Sequence, residues 1–258
     1  MSVETGRVEA PAVPSGTLQL QAPPDLVKPE GGGNAAMSIM PVMGSVGSIA
    51  VISLGASGSG GVSSTRILMG AVILVASIGF VVMNLLRQRS THRAAVTGSR
   101  REYLAYLAGL RSDVREAAAK QRVNAEWHMP APTALAVLAE EGTRVWERRV
   151  GDPDLLHVRI GTATAPLCLT LEQAEPAPNS QPDPVAASAA HRFLATHSTQ
   201  TDLPSRLDLT STSRVEVAGE SEASRALVRA MLCHVASFVS PADLRIAVIA
   251  SSENLPQW

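Results

Sequence analysis

Residues Ile67–Leu86, ILMGAVILVASIGFVVMNLL, leave a folding chain few options. They carry no charge, no proline and one asparagine. As a helix they reach about 30 Å, the thickness of a bilayer's hydrocarbon core. A water-soluble core helix rarely runs that far apolar on every face. The expectation from sequence is a membrane span bounded by Arg66 on one side and by Arg87, Arg89 and Arg93 on the other.

A second apolar run, Met37–Leu54, is broken by Pro41, Gly44 and Gly47. Such breaks are tolerated in membrane helices packed on a neighbour. With Gly55–Thr65 as a loop, the two runs predict a helical hairpin. Five Arg follow Leu86 within fifteen residues, so the positive-inside rule predicts a cytoplasmic C-terminal side. With two spans, the N-terminus is predicted on the same side. Met1 to Gly33 is rich in Pro, Gly and polar residues and reads as a disordered tail.

Past the apolar run, Tyr103, Leu107, Leu110, Val114 and Ala117 recur at spacings of 4, 3, 4 and 3, among interleaved Arg and acidic residues. That is an apolar seam on a helix, a stalk that packs either on another chain or on its own domain. Beyond Pro130 and Pro132, a helix is predicted from Thr133 to about Arg148. Strands are predicted at Leu155–Gly161 and Ala165–Leu171, a helix at Pro184–His197, and an extended segment at Thr201–Leu209. The last unit reads as strand Ser213–Ala218, helix Ser221–Val239 and strand Leu244–Ala250, a βαβ element with Val228, Leu232 and Val235 on the packing face.

That βαβ is where a phosphate-binding loop would lie. Its turn, GESEASRA at Gly219–Ala226, has the first glycine but lacks the second glycine and the lysine. Glu220 and Glu222 stand where phosphate charge would sit and read as helix caps. The six histidines are scattered without metal-ligand spacing, and Cys168 and Cys233 read as reduced, buried thiols. The residues therefore nominate no catalytic, cofactor or metal site. A net charge of −1 gives no reason to expect a nucleic-acid partner.

Several stretches together resemble the N-terminal part of EccC, the FtsK/SpoIIIE-type membrane ATPase of actinobacterial type VII secretion systems. They are MPVMGSVGS at Met40–Ser48, RQRSTHRAAVTGSRREYLAYLAGLR at Arg87–Arg111, VWERRVGDPDLLHVRIG at Val145–Gly161, DLPSRLDL at Asp202–Leu209 and ALVRAMLCHVASFVSPADLRIAVIA at Ala226–Ala250. The resemblance implies a plasma-membrane secretion component whose partners are other membrane subunits, the bilayer and further copies in a hexamer. It also implies ATPase domains beyond Trp258, so the chain reads as a piece, a truncated product or a member whose later domains lie on another polypeptide.

The combined expectation is a disordered tail (1–33), an α-helical membrane hairpin (34–86), a basic stalk helix (87–129) and an incomplete α/β domain, P-loop-like but degenerate (130–258). The expected function is anchoring and assembly without enzymatic activity. The rival expectations are a stand-alone two-span adaptor and the anchor of a DNA-translocase-type motor.

Overall fold

The computed structural model describes residues 7–26, 64–255 and 258, with the side chains at 64–70, 73, 74 and 88 outside the description. Among the described residues, four helices and four strands follow one another. They are β1 (Gly16–Leu20), α1 (Ser64–His128), α2 (Pro132–Glu141), β2 (His157–Pro166), β3 (Leu169–Gln173), α3 (Pro184–His197), β4 (Thr199–Asp208) and α4 (Ser221–Phe238).

Two compact units share the chain. The first comprises Met1–Leu20, Gly109–Gln173 and His191–Trp258; the second comprises Gln21–Ala108 and Ala174–Ala190. In the first unit, β2 and β4 form an antiparallel ladder in which Val158 opposes Leu207. Bulges at Arg159/Gly161 and Ala163/Ala165 shift its register. β1 and β3 form a separate parallel pair, with Leu18 opposite Leu171. The amphipathic helix α4 packs on β2 and on α2. Its inward residues Met231 and Val235 join Val158 and Val239 in a buried cluster walled by Leu155, Leu156, Leu207, Leu209, Leu227 and Leu244. The buried face of α4 is therefore Met231, His234, Val235 and Phe238, with Val228 and Leu232 only half-buried.

The second unit is tied by polar contacts. Arg100 grips Asp183 with Nε to Oδ2 at 2.9 Å and Nη2 to Oδ1 at 2.6 Å. Asp183 also accepts from the Ala186 amide at 3.1 Å, which caps the start of α3. The Tyr103 hydroxyl donates to the Gln21 carbonyl, and the Tyr106 hydroxyl accepts from the Gln21 amide.

Of the five seam positions, Tyr103, Leu107, Val114 and Ala117 are buried, while Leu110 is only half-buried. Several other expectations require correction. The membrane hairpin and the multi-pass plasma-membrane placement are overturned, because among the described residues no helix is long and apolar enough to cross a membrane. Ile67–Leu86 is not a bounded segment. It is the start of one unbroken helix of 65 residues that continues into the Arg-rich stalk. The proposed first span, Met37–Leu54, and its loop up to residue 63 lie outside the described residues.

The N-terminal tail is not disordered over its described part, since residues 16–20 pair with β3 and Leu20 is fully buried. The helix predicted from Thr133 to Arg148 stops at Glu141. Gly142 takes the left-handed conformation at φ 67° and its amide closes back on the Leu138 carbonyl at 3.1 Å, a glycine stop that a side chain would strain. The βαβ keeps its helix but not its strands: among the described residues, 213–218 and 244–250 pair with no strand. Strand-forming residues become a strand only where a neighbour takes up the ladder hydrogen bonds. Neither cysteine is buried; Cys168 is half-buried and Cys233 exposed, on the side of α4 away from its core face.

Candidate functional site: a double helix cap built on Arg144–Arg148

The most unusual chemistry of the first unit lies where α1 ends. The last carbonyls of a helix have no partner within it and carry the negative end of its dipole. Here three guanidiniums take them. Arg144 Nη1 donates to the Trp127 carbonyl at 3.0 Å, Arg148 Nη2 to that of His128 at 2.7 Å, and Arg159 Nη1 to that of Met129 at 2.8 Å.

The same short segment caps a second helix with other atoms. The Trp146 amide donates to the Ser237 carbonyl at 2.9 Å and the Arg148 amide to that of Phe238 at 3.0 Å. The Trp146 indole N–H reaches the Ala236 carbonyl at 3.2 Å. Side chains of 144 and 148 thus hold the end of α1, while the backbone and indole of 146–148 hold the end of α4. Trp146 adopts φ 57°, an uncommon conformation for a bulky residue, and lies between the two capping arginines.

Phe238 is the platform between them. It is fully buried. The Arg148 guanidinium carbon lies 4.4 Å from its ring centre and that of Arg144 5.3 Å; Arg144 also stacks on Trp127 at 3.8 Å. His234 stacks on the same ring at 5.0 Å. Arg148 Nη1 spends its remaining reach on the His157 carbonyl at 2.8 Å.

Charge is balanced locally. Arg144 pairs with Glu147 through two bonds, at 3.1 and 2.5 Å. Asp154 takes Arg7 in a bidentate pair at 3.0 and 2.5 Å and lies 3.5 Å from Arg148 Nε. Burial lowers the Arg148 pKa to about 10, partly opposed by Asp154 and Glu147, so the group stays charged at neutral pH. Burial pushes the Asp154 carboxyl up, but the Arg7 hydrogen bond and the charges of Arg148 and Arg7 outweigh it and leave it below the usual carboxylate value.

His234 is strongly displaced. Burial first, then Arg148, Arg159 and Arg144, lower its pKa to about 3 from an ordinary 6.5. Its Nε2 faces Arg148 Nη2 at 3.5 Å, so a neutral ring protonated on Nδ1 fits the site. A folded pKa below the unfolded one means stability that is complete above pH 6.5 and drains as pH falls toward 3. Asp154, also lowered, loses its contribution in the same direction at still lower pH. At pH 4.5 the expected loss from His234 is about 2–3 kcal/mol relative to neutral pH. Urea midpoints of the wild-type chain and His234→Gln at pH 7.5 and 4.5 check this. The variant should lose much of the pH dependence, and an unchanged slope would contradict the assignment.

The turn before α4 is occupied by its own carboxylate. Glu220 accepts from the amides of Glu222 and Ala223, as the cap reading requires. Glu222 lies below the usual carboxylate value, held chiefly by hydrogen bonds from Arg229 and Arg225. The histidines do not converge. His157 lies 4.0 Å from Asp208, His197 stacks on Phe193, and His128 Nδ1 contacts the Asn124 carbonyl. Among the described residues no three His, Cys, Asp or Glu gather as a metal site would require. Residue-by-residue reading missed Arg7, Arg144, Arg148, Asp154 and His234. The available signal is Gly142, a helix stop, followed by the charged residues Arg144, Glu147 and Arg148.

Comparison with known proteins gives a consistent picture. No family model matches the chain. It is 34% identical over 253 residues to the ESX secretion system protein EccC of Thermomonospora curvata, covering 98% of this chain and 19% of that protein. It is 31% identical over 249 residues to the ESX-4 secretion system protein EccC4 of Mycobacterium tuberculosis, covering 96% of this chain and 20% of that protein. It is 31% identical over 252 residues to the ESX-3 protein EccC3 of the same species, covering 98% of this chain and 19% of that protein. The chain therefore spans about a fifth of the length of the relatives it matches.

Proposed function

Because the chain belongs to the EccC family of type VII secretion components, we propose that it serves as a non-catalytic assembly segment of such a component, coupling the long helix α1 to the α/β unit at its end. The observation that carries this reading is the double cap. One five-residue segment, Arg144 to Arg148, holds the C-terminal carbonyls of both α1 and α4. Two helix ends held by one segment are joined through it, which is what a mechanical coupling requires. Within the first unit, α1 contributes residues 109–128 to this joint.

The partners proposed are other subunits of the secretion complex. The non-catalytic part of the reading is supported by Glu220, whose carboxylate already occupies amides that a nucleotide phosphate would need. Two measurements test the proposal. Tagged chain should co-purify with type VII secretion subunits from cells that express them, and Arg148→Met should lose that association while the protein is still made. Retained association in a variant whose α1–α4 joint is shown to be loosened would contradict the coupling role. The purified chain should show no saturable ATP binding at micromolar nucleotide, and saturable binding would contradict the non-catalytic reading.

A further inference from the structure

We infer that residues 7–20 form a releasable strap over the first unit, latched at Asp154, whose carboxylate is shared between Arg7 of the strap and the buried Arg148. This rests on the contacts of the N-terminal segment and not on the secretion reading.

The strap touches three separate parts of the unit. Arg7 pairs with Asp154 in a bidentate fork and reaches Asp152 at 3.4 Å. Asn124 Nδ2 on α1 donates to the Pro11 carbonyl at 2.7 Å. Residues 16–20 then run parallel to β3. Between these points little is buried. Of residues 7–20 only Leu20 is buried, and Val8 and Val13 are 42% and 37% exposed. A segment attached by few points, with almost no apolar burial, belongs to the low-stability end of a fold.

The latch has two alternative partners for one carboxylate. Asp154 Oδ2 lies 2.5 Å from Arg7 Nη2 and 3.5 Å from Arg148 Nε. Among the described residues that Nε has no hydrogen-bond partner, although Arg148 is almost wholly buried. With the strap down, Arg7 holds the carboxylate. With the strap lifted, a small rotation brings it onto Arg148 Nε and fills the unmet donor. The released state therefore keeps Asp154 paired and leaves the helix caps intact. An integral core strand would offer no such second partner. The Arg7 side chain is 37% exposed, so water and salt reach the latch.

Hydrogen exchange on the full chain tests this directly. Arg7→Gln should speed exchange of the amides at 16–20 by about tenfold, while α4 keeps its wild-type protection. Asp154→Asn should speed exchange both at 16–20 and in α4, because Arg148 then loses its carboxylate. Sodium chloride at about 1 M should open the strap in the wild type and add little in Arg7→Gln. Unchanged exchange at 16–20 in Arg7→Gln would overturn the latch. Equal acceleration of 16–20 and α4 in that variant would overturn the strap, making the segment part of the core.

Discussion

Arg148→Met should destabilise the first unit by about 3–5 kcal/mol, lowering its melting temperature by about 10 °C. Replacing a buried ion pair by apolar groups is often harmless, because both charges leave together. Arg148 is different. Two of its partners are backbone carbonyls, those of His128 and His157, which no substitution removes. Methionine fills the space over Phe238 but leaves both carbonyls buried and unmet, the costly outcome for a polar group. Arg148→Lys keeps the charge, yet one ammonium on a flexible stem cannot reproduce the planar fork that reaches both carbonyls, so about half the loss should remain. Denaturation followed by Trp127 and Trp146 fluorescence reads both variants. A loss below about 1 kcal/mol for Arg148→Met would mean that the carbonyls find water instead.

Phe238→Ala should cost a comparable amount, about 3–5 kcal/mol, for a different reason. The ring is fully buried and sits among the guanidiniums of Arg148 and Arg144 and the ring of His234. Truncation opens a cavity beneath two cations and removes their π face. Phe238→Leu separates the two effects. It retains most of the apolar volume and loses only the cation–π contribution, so its cost should be about 1–2 kcal/mol. If the leucine variant were as unstable as the alanine variant, packing would not be the larger effect.

Legibility in the sequence followed the range of the interactions. The seam Tyr103, Leu107, Val114 and Ala117 was readable because helix periodicity is local, and all four are buried. Helix α3 was read at its observed bounds because Pro184 and His197 frame it. The helix end at Glu141 was readable in principle from Gly142 but lost to the apolar residues that follow. The order of residues 16–20 could not be read, since their partner lies at 169–173, roughly 150 residues away. The strands expected beside α4 failed for the same reason. Val215, Val217, Ile246 and Val248 have strand chemistry but no described strand beside them. The membrane expectation rested on the composition of Ile67–Leu86 taken alone, whereas the helix containing it continues to His128.

The double cap was invisible for a further reason. Its partners are carbonyls at positions 127–129 and 236–238, and a carbonyl leaves no mark in a sequence. Arg144, Glu147 and Arg148 look like an ordinary solvated charge run. Only the fold turns them inward, so that Arg148 is 1% exposed. Such a cluster is stable because the negative ends of two helices add to Glu147 and Asp154 in balancing Arg7, Arg144, Arg148 and Arg159.

The coupling itself is tested most directly by native-state hydrogen exchange of the last turns of α1, residues 109–128, alongside α4, in the wild type and in Arg148→Met. If one segment joins the two helix ends, both should lose protection together and by similar factors in the variant. Loss of protection in α4 with the end of α1 unchanged would show that the two helices are held independently and would contradict the coupling.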